Sequence, residues 1–284
     1  RAWGQNSSGQ GSAPSGLSGV AMIASGWYHN LALLTNGTVV AWGNYTNVPT
    51  DLKDVKYISA NSHYSLALKT NMTVTAWGWA LNGETNIPSG LSGVVAISAG
   101  VSHVLAATTN GTVTAWGNNS YGKCYVPTNI QDVVDVAAGI HHSLALLENG
   151  TVVAWGGNNY GECNVPPGLS NVVAIATGGN PLNTTNSSPW SMALCKDGTV
   201  MKWGSGSVVE NSDSFDHVIA IAGIGAHALA LRTGPTTPVC IVTPAVQHTI
   251  TGGSATFSCE ATGFGRSLNY QWKHNGVNIS GATN

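Results

Sequence analysis

The stretch "HHSLALLENGTVVAWGGN", residues 141–158, decides the architecture. Strand alternation places Leu144 and Leu146 on one side of an extended segment, and Val153 and Trp155 on one side of the next. Asn149-Gly150 between them is a strong local signal for a β-hairpin. Nearly the same phrase, "HNLALLTNGTVVAWGN", fills residues 29–44, so the chain has to be read first as a repeat. Trp-Gly pairs fall at Trp3, Trp42, Trp77, Trp116, Trp155 and Trp203. Most are 39 residues apart, with 35 between Trp42 and Trp77 and 48 between Trp155 and Trp203, where "GGNPLNTTNSSPW" is inserted. Each copy opens on an apolar stretch such as "VVAIAT" (172–177), continues through the hairpin, and leaves by Gly, Asn and Pro turn chemistry such as "GGNNYGECNVPPGLSN" (156–171). No segment carries a helical period. Short strands in units of about 40 residues predict an all-β protein built of propeller blades.

Composition narrows the function. Charged residues make up 8% of the 284, against about 25% in an average soluble domain. Polarity therefore rests on Ser, Thr, Asn and Gly. Net charge is −2 and the ten Lys and Arg are scattered, which excludes a basic stripe able to neutralise a nucleic-acid backbone. No apolar run reaches the roughly 18 residues of a membrane span, and no signal-peptide core opens the chain. Arg1 in place of Met marks a processed chain or a segment of a longer one. Five cysteines are too few for a disulfide scaffold; Cys124 and Cys163 hold matched places in "YGKCYVP" and "YGECNVP".

The repeat resembles that of the regulator of chromosome condensation (RCC1) family, Gly-x-x-His-Ser-Leu-Ala-Leu, then Asp/Asn-Gly-x-Val, then Trp-Gly-x-Asn. It appears as "GWYHNLALLTNGTVVAWGN" (26–44), "ANSHYSLALKTNMTVTAWG" (60–78), "GVSHVLAATTNGTVTAWGNN" (100–119), "GIHHSLALLENGTVVAWGGN" (139–158), a degenerate "PWSMALCKDGTVMKWG" (189–204) and "GIGAHALALRTG" (223–234). The resemblance covers residues 1–233 and implies an RCC1-like β-propeller. The chain starts at "RAWG", the later part of a repeat, and the last copy stops after "HALALRTG"; joined, they make one unit. The expectation is six blades closed by the N-terminal strand, which hides sheet edges, with seven blades as the alternative. Residues 234–240 read as a linker. Residues 241–284 resemble the first half of an immunoglobulin-like domain, with Cys259 in "GGSATFSCEATG" and Trp272 in "YQWKHNG" as its first cysteine and core tryptophan.

Candidate functional residues follow from this frame. His29, His63, His103, His142 and His227 recur once per blade and are expected to be structural hydrogen-bonders spread around a wheel, with no metal site. The repeated tryptophans are expected to pack between blades. Tyr121 and Tyr160, with Asn119 and Asn159, stand in turn-rich loops and are the binding candidates. Glu210, Asp213 and Asp216 lack calcium-loop spacing and are expected to be an exposed loop. Nucleophile elbows, phosphate loops and zinc-protease helices are missing, so no enzyme activity and no cofactor is expected. Asn-x-Ser/Thr occurs at ten positions: Asn6, Asn36, Asn44, Asn71, Asn110, Asn118, Asn149, Asn183, Asn186 and Asn278. Asn36, Asn71, Asn110 and Asn149 share the hairpin turn and are the glycosylation candidates.

These features together predict an extracellular or cell-surface structural or adhesive repeat protein. Its partners would be other proteins, including copies of itself that complete the half-domain in a filament. A glycan-binding, lectin-like propeller is the alternative. Nucleotide exchange on a small GTPase would rest on fold analogy alone and ranks last.

Overall fold

The computed structural model describes residues 2, 4–179, 188–205, 209–210, 218–224 and 227–232, and the short segments 239–243, 258–262, 273–274, 277–278 and 280. The chain divides into two compact units, Arg1–Leu231 and Arg232–Asn284. In the first, four sheets repeat one plan of three antiparallel strands in sequence order. They are β1 (Val20–Ser25), β2 (His29–Leu34) and β3 (Val39–Gly43); β4 (Val55–Asn61), β5 (Tyr64–Lys69) and β6 (Val74–Gly78); β7 (Val94–Ala99), β8 (His103–Thr108) and β9 (Val113–Gly117); and β10 (Val133–Ala138), β11 (His142–Leu147) and β12 (Val152–Gly156). The fifth adds a short fourth strand: β13 (Val172–Gly178), β14 (Trp190–Cys195), β15 (Val200–Gly204) and β16 (Val209–Glu210). The sixth shows two strands, β17 (Val218–Ile224) and β18 (His227–Arg232). The second unit contains the pairs β19 (Val239–Thr243) with β20 (Ser258–Thr262), which carries Cys259, and β21 (Lys273–His274) with β22 (Val277–Asn278). Trp3, Asn183, Asn186, Asp213, Asp216 and Trp272 lie outside the described residues.

Hydrophobic alternation explains how the sheets stack. Leu31 and Leu33 of the first blade's middle strand pack on Val55 and Ile58 of the second blade's first strand. Leu66 and Leu68 meet Val94 and Ile97 in the same way, and Leu144 and Leu146 meet Val172 and Ile175. The core is therefore a series of inter-blade layers: three pair a Leu-x-Leu edge with the Val-x-x-Ile of the next blade, while Leu105 and Ala107 meet Val133 and Val136, and Met192 meets Ile221.

A polar relay crosses the same layers. Ser143 donates from Oγ to the Lys123 carbonyl at 2.8 Å, which fixes it as acceptor for the Nε2–H of His103 at 2.9 Å. Ser191 bonds the Glu162 carbonyl and His142 Nε2 identically. His29 Nε2 lies 2.9 Å from Ser65 Oγ. Where Tyr64 holds the histidine place, the next blade offers Val104, and the Tyr64 hydroxyl reaches the carbonyls of Gly100 and His103 instead. Trp116, Trp155 and Trp203 donate from Nε1 to the carbonyls of Glu84, Lys123 and Glu162, in the loop entering each blade. Trp77 Nε1 is buried without a partner, because the loop from Gly43 to Pro49 is four residues shorter than that from Gly78 to Pro88 and lacks the accepting residue.

One register differs from the sequence expectation. Tyr64 pairs with Gly78 as His29 does with Gly43 and His142 with Gly156, so Tyr64, not His63, holds the repeat's histidine place. His63 stands one residue earlier, with Tyr28 and His141, in the turn between the first and second strands. The hairpin turn also differs in detail. Leu34 N–H donates to Thr38 O and Gly37 N–H to Leu34 O, with Gly37 at φ +81°, which is a three-residue loop ending in a left-handed residue. The two-residue Asn-Gly turn would have put Asn36 there as well.

Candidate functional site

The turns at one end of the blades share a backbone scaffold and differ in side chains. Asn44 N–H donates to Tyr28 O, Trp79 N–H to His63 O, Asn118 N–H to Ser102 O and Gly157 N–H to His141 O, tying each blade's exit to its own first turn. Trp27 N–H donates to Ser62 O and Val101 N–H to Gly139 O, tying that turn to the next blade's. Among the described residues, only the first two blades load the scaffold with aromatic residues on every side. Around His63 stand Trp27 at 5.3 Å, Tyr28 at 5.5 Å, Tyr45 at 5.1 Å and Trp79 at 5.0 Å between ring centroids. Tyr45 and Trp79 lie within 10° of parallel, 6.3 Å apart, and each is perpendicular to His63 within a few degrees. Trp79 is 48% exposed. The others are half-buried.

Tyr45 has φ +57°, a left-handed conformation that costs a non-glycine residue about 1–2 kcal/mol. Ser62 Oγ sits 2.8 Å from His63 Nδ1 and fixes the imidazole. Burial lowers the His63 pKa from its ordinary value, so the ring is neutral at pH 7. The five rings are aromatic and uncharged at pH 7.

Tyr121 repeats the arrangement on a smaller scale. It has φ +66° in the short 3₁₀ turn Ser120–Gly122, is 56% exposed, and lies 4.5 Å from the His141 ring. Gly157 takes the place Trp79 has in the second blade; a Cβ there would come within 3.0 Å of His141. Asn119 is occupied structurally, its Oδ1 accepting from Cys124 N–H at 2.9 Å. Tyr160 and Asn159 are exposed in the following blade's loop, where Tyr160 N–H donates to Glu162 at 2.8 Å. Tyr121 is thus exposed beside a histidine, and the larger aromatic cluster around His63 was not among the binding candidates of the sequence. Its signal was the aromatic residues at turn positions where other copies carry Ser, Val or Asn.

The remaining candidates serve the scaffold. His29, His103 and His142 are fully buried, and burial holds them neutral, with pKa values of about 4 for His29 and about 3 for His142. Their Nδ1 edges lie against Gly26, Gly100 and Gly139, where any Cβ would come within 2.8 Å of Nδ1. Lys123 is buried, donating to Ser102 Oγ and the Ile140 carbonyl, and burial lowers its pKa to about 8. Among the described residues no three His, Cys, Asp or Glu side chains gather as a metal site, and no helix is long and apolar enough to cross a membrane. Cys124, Cys163 and Cys195 are free thiols. At the opposite turns, Asn36, Asn71, Asn110 and Asn149 are exposed, and each accepts at Oδ1 from the hydroxyl of the Thr two residues on, at 2.7 to 2.9 Å. Their Nδ2 groups make no hydrogen bond among the described residues.

Residues 20–47, 94–123 and 133–162 match the family described as "Regulator of chromosome condensation (RCC1) repeat". No curated protein matches the chain. Among solved structures it is similar to Prp20p from Saccharomyces cerevisiae, described with its binding to Gsp1p and histones, at 21% identity over 74% of this chain and 68% of that one, with a TM-score of 0.62. Human WBSCR16 is similar at 20% identity over 76% and 72%, TM-score 0.60. The ectodomain of the Physcomitrella patens receptor kinase CR4 is similar at 23% over 72% and 56%, TM-score 0.55. What these proteins share with the chain is a fold: three segments of the chain match the RCC1 repeat, and the repeated three-stranded sheets within Arg1–Leu231 build an RCC1-like β-propeller.

Proposed function

We propose that the protein is a non-catalytic adhesive module of the cell surface or extracellular space, and that its propeller recognises a neutral saccharide through the aromatic face of blades one and two. The carrying observation is the five-ring cluster of Trp27, Tyr28, Tyr45, His63 and Trp79, half open to solvent, with His63 fixed by Ser62 Oγ. Flat aromatic faces suit the C–H faces of pyranose rings. The low charge of the chain and the neutrality of His63 favour an uncharged ligand. Around this site the reading is a six-bladed ring closed by the N-terminal residues, followed by an immunoglobulin-like segment that a neighbouring chain completes.

A glycan array probed with the whole chain tests the function. Wild type is expected to retain a restricted set of neutral glycans, and Trp79→Ala to lose about tenfold or more in affinity while keeping its thermal midpoint. Absence of any glycan at high protein concentration, or retention unaffected by Trp79→Ala, overturns the reading.

A further inference from the structure

Between blades one and two, buried donors lack the acceptor that the equivalent donors of other blades share. In those blades one carbonyl of the entering loop takes a middle-strand donor and the tryptophan paired with it across the strands. Gln10 O accepts from Asn30 Nδ2 at 2.7 Å and from Trp42 Nε1 at 2.9 Å. Lys123 O accepts from Ser143 Oγ at 2.8 Å and from Trp155 Nε1 at 2.9 Å. Glu162 O accepts from Ser191 Oγ at 2.8 Å and from Trp203 Nε1 at 3.0 Å. Ser65 and Trp77 are the same pair in the second blade, in the same register. The loop entering that blade is the short one and brings them no carbonyl. Ser65 is fully buried, and Trp77, 6% exposed, has its Nε1 buried without a partner.

Proton accounting adds a second orphan. A neutral imidazole carries one N–H. If His29 Nε2–H donates to Ser65 Oγ, the Ser65 hydroxyl hydrogen has no acceptor. If Ser65 donates to Nε2, the N–H sits on Nδ1, which is buried and unpartnered. Either way two buried donors go unmet, which costs free energy until an oxygen reaches them. The pair adjoins the aromatic cluster. Ser65 follows His63 by two residues and Trp77 precedes Trp79 by two, about 7 Å of extended chain. The loop at the place of the missing carbonyl is lightly tied: the backbone N–H groups of Tyr45, Thr46 and Asn47 make no hydrogen bond among the described residues. A segment held so weakly opens at little cost.

We infer that this socket receives an amide carbonyl oxygen of the ligand, so that the saccharide on the aromatic face is an N-acetylated one. The other blades supply the template, because the oxygen that takes both donors there is an amide carbonyl of the backbone. In a neutral N-acetylhexosamine the acetamido group is that amide, carried on the ring that stacks on the aromatic face. Its oxygen accepts from Trp77 Nε1–H and Ser65 Oγ–H, and His29 Nε2–H donates to Ser65 Oγ as His103 does to Ser143. The choice of ligand rests on the saccharide reading proposed above; the socket rests on the unmet donors.

Indole N–H NMR of the full chain, titrated in parallel with N-acetylglucosamine, glucose and N-methylacetamide, tests both parts. N-acetylglucosamine is expected to move the Trp77 resonance together with those of Trp27 and Trp79, and to bind about tenfold tighter than glucose, the contribution of two hydrogen bonds. In Ser65→Ala the ratio of the two affinities is expected to fall several-fold; should that variant not fold, the wild-type ratio decides alone. Equal affinity for the two sugars, or saturable N-acetylglucosamine binding with Trp77 unmoved, overturns the socket and leaves the saccharide reading standing. Movement of Trp77 by N-methylacetamide, with neither sugar bound, upholds the socket and overturns the saccharide as its ligand. A Trp77 resonance that no probe moves overturns the proposal and assigns the two donors to internal water.

Discussion

Replacing Met72 by glycine should stabilise the protein, an unusual direction for removing a side chain. Met72 has φ +64°, in the turn position filled by Gly37, Gly111, Gly150 and Gly198 in the other complete blades, all at φ between +76° and +89°. Its backbone bonds repeat theirs: Met72 N–H donates to Lys69 O, and Val94 N–H donates to Met72 O, both at 2.9 Å. A non-glycine residue loses about 1–2 kcal/mol in that conformation. Glycine returns about 0.5–1 kcal/mol of this through the greater freedom of the unfolded chain. The side chain is 39% exposed, so little packing is lost. The net gain is about 0.5–1 kcal/mol, a rise of roughly 1–4 °C in the thermal midpoint for a domain of this size. Calorimetry on wild type, Met72→Gly and Met72→Ala separates the causes, because alanine keeps the strain. A midpoint for Met72→Gly at or below wild type, or an equal rise in Met72→Ala, would refute the strain argument.

Ser143→Ala removes the acceptor of His103 Nε2–H inside the third layer and should cost about 1–3 kcal/mol by chemical denaturation, and clearly less when His103 is already alanine. Acid should destabilise the fold through the buried histidines. Their folded pKa values are depressed, so the unfolded chain binds more protons, and stability is expected to fall as pH drops from about 6.5 towards 3 to 4. Asp135, raised to about 6 by burial, and Glu162, also raised by burial, oppose this with two protons, against those of the three buried histidines and of His63 and His141, which burial also lowers. Thermal midpoints that rise on acidification across that window would contradict the assignment. In a secretory host, glycopeptide mass spectrometry should find Asn36, Asn71, Asn110 and Asn149 modified ahead of Asn6, Asn44 and Asn118, whose Nδ2 groups donate to Ser12, Ser8 and Asn82. The reverse order would show that the free amides do not govern occupancy.

The repeated sheets were legible because alternation and turn chemistry are local. Leu144, Leu146, Val153 and Trp155 announce their strands without knowledge of any other blade. The misplacement of His63 shows the limit of matching by residue type. A tyrosine fills the relay place by finding carbonyls instead of serine, and only strand register against Gly78 reveals it. The aromatic turns were legible in part. Tyr121 stood out in its own loop, whereas Trp27, Tyr45, His63 and Trp79 come from turns of two blades and meet only once those blades stack. Asn36 illustrates a finer gap: Asn-Gly predicted the hairpin, but which of the two residues turns left-handed depends on loop length.

The central claim is that ligand binds on the aromatic face of the first two blades. The most direct measurement is a side-chain NMR titration of the tryptophan indole N–H groups with a neutral glycan retained on the array. The account predicts that the resonances of Trp27 and Trp79 move and saturate together, while those of the buried Trp116, Trp155 and Trp203 stay in place. Saturable binding with Trp27 and Trp79 unmoved would contradict it and place the ligand elsewhere on the chain.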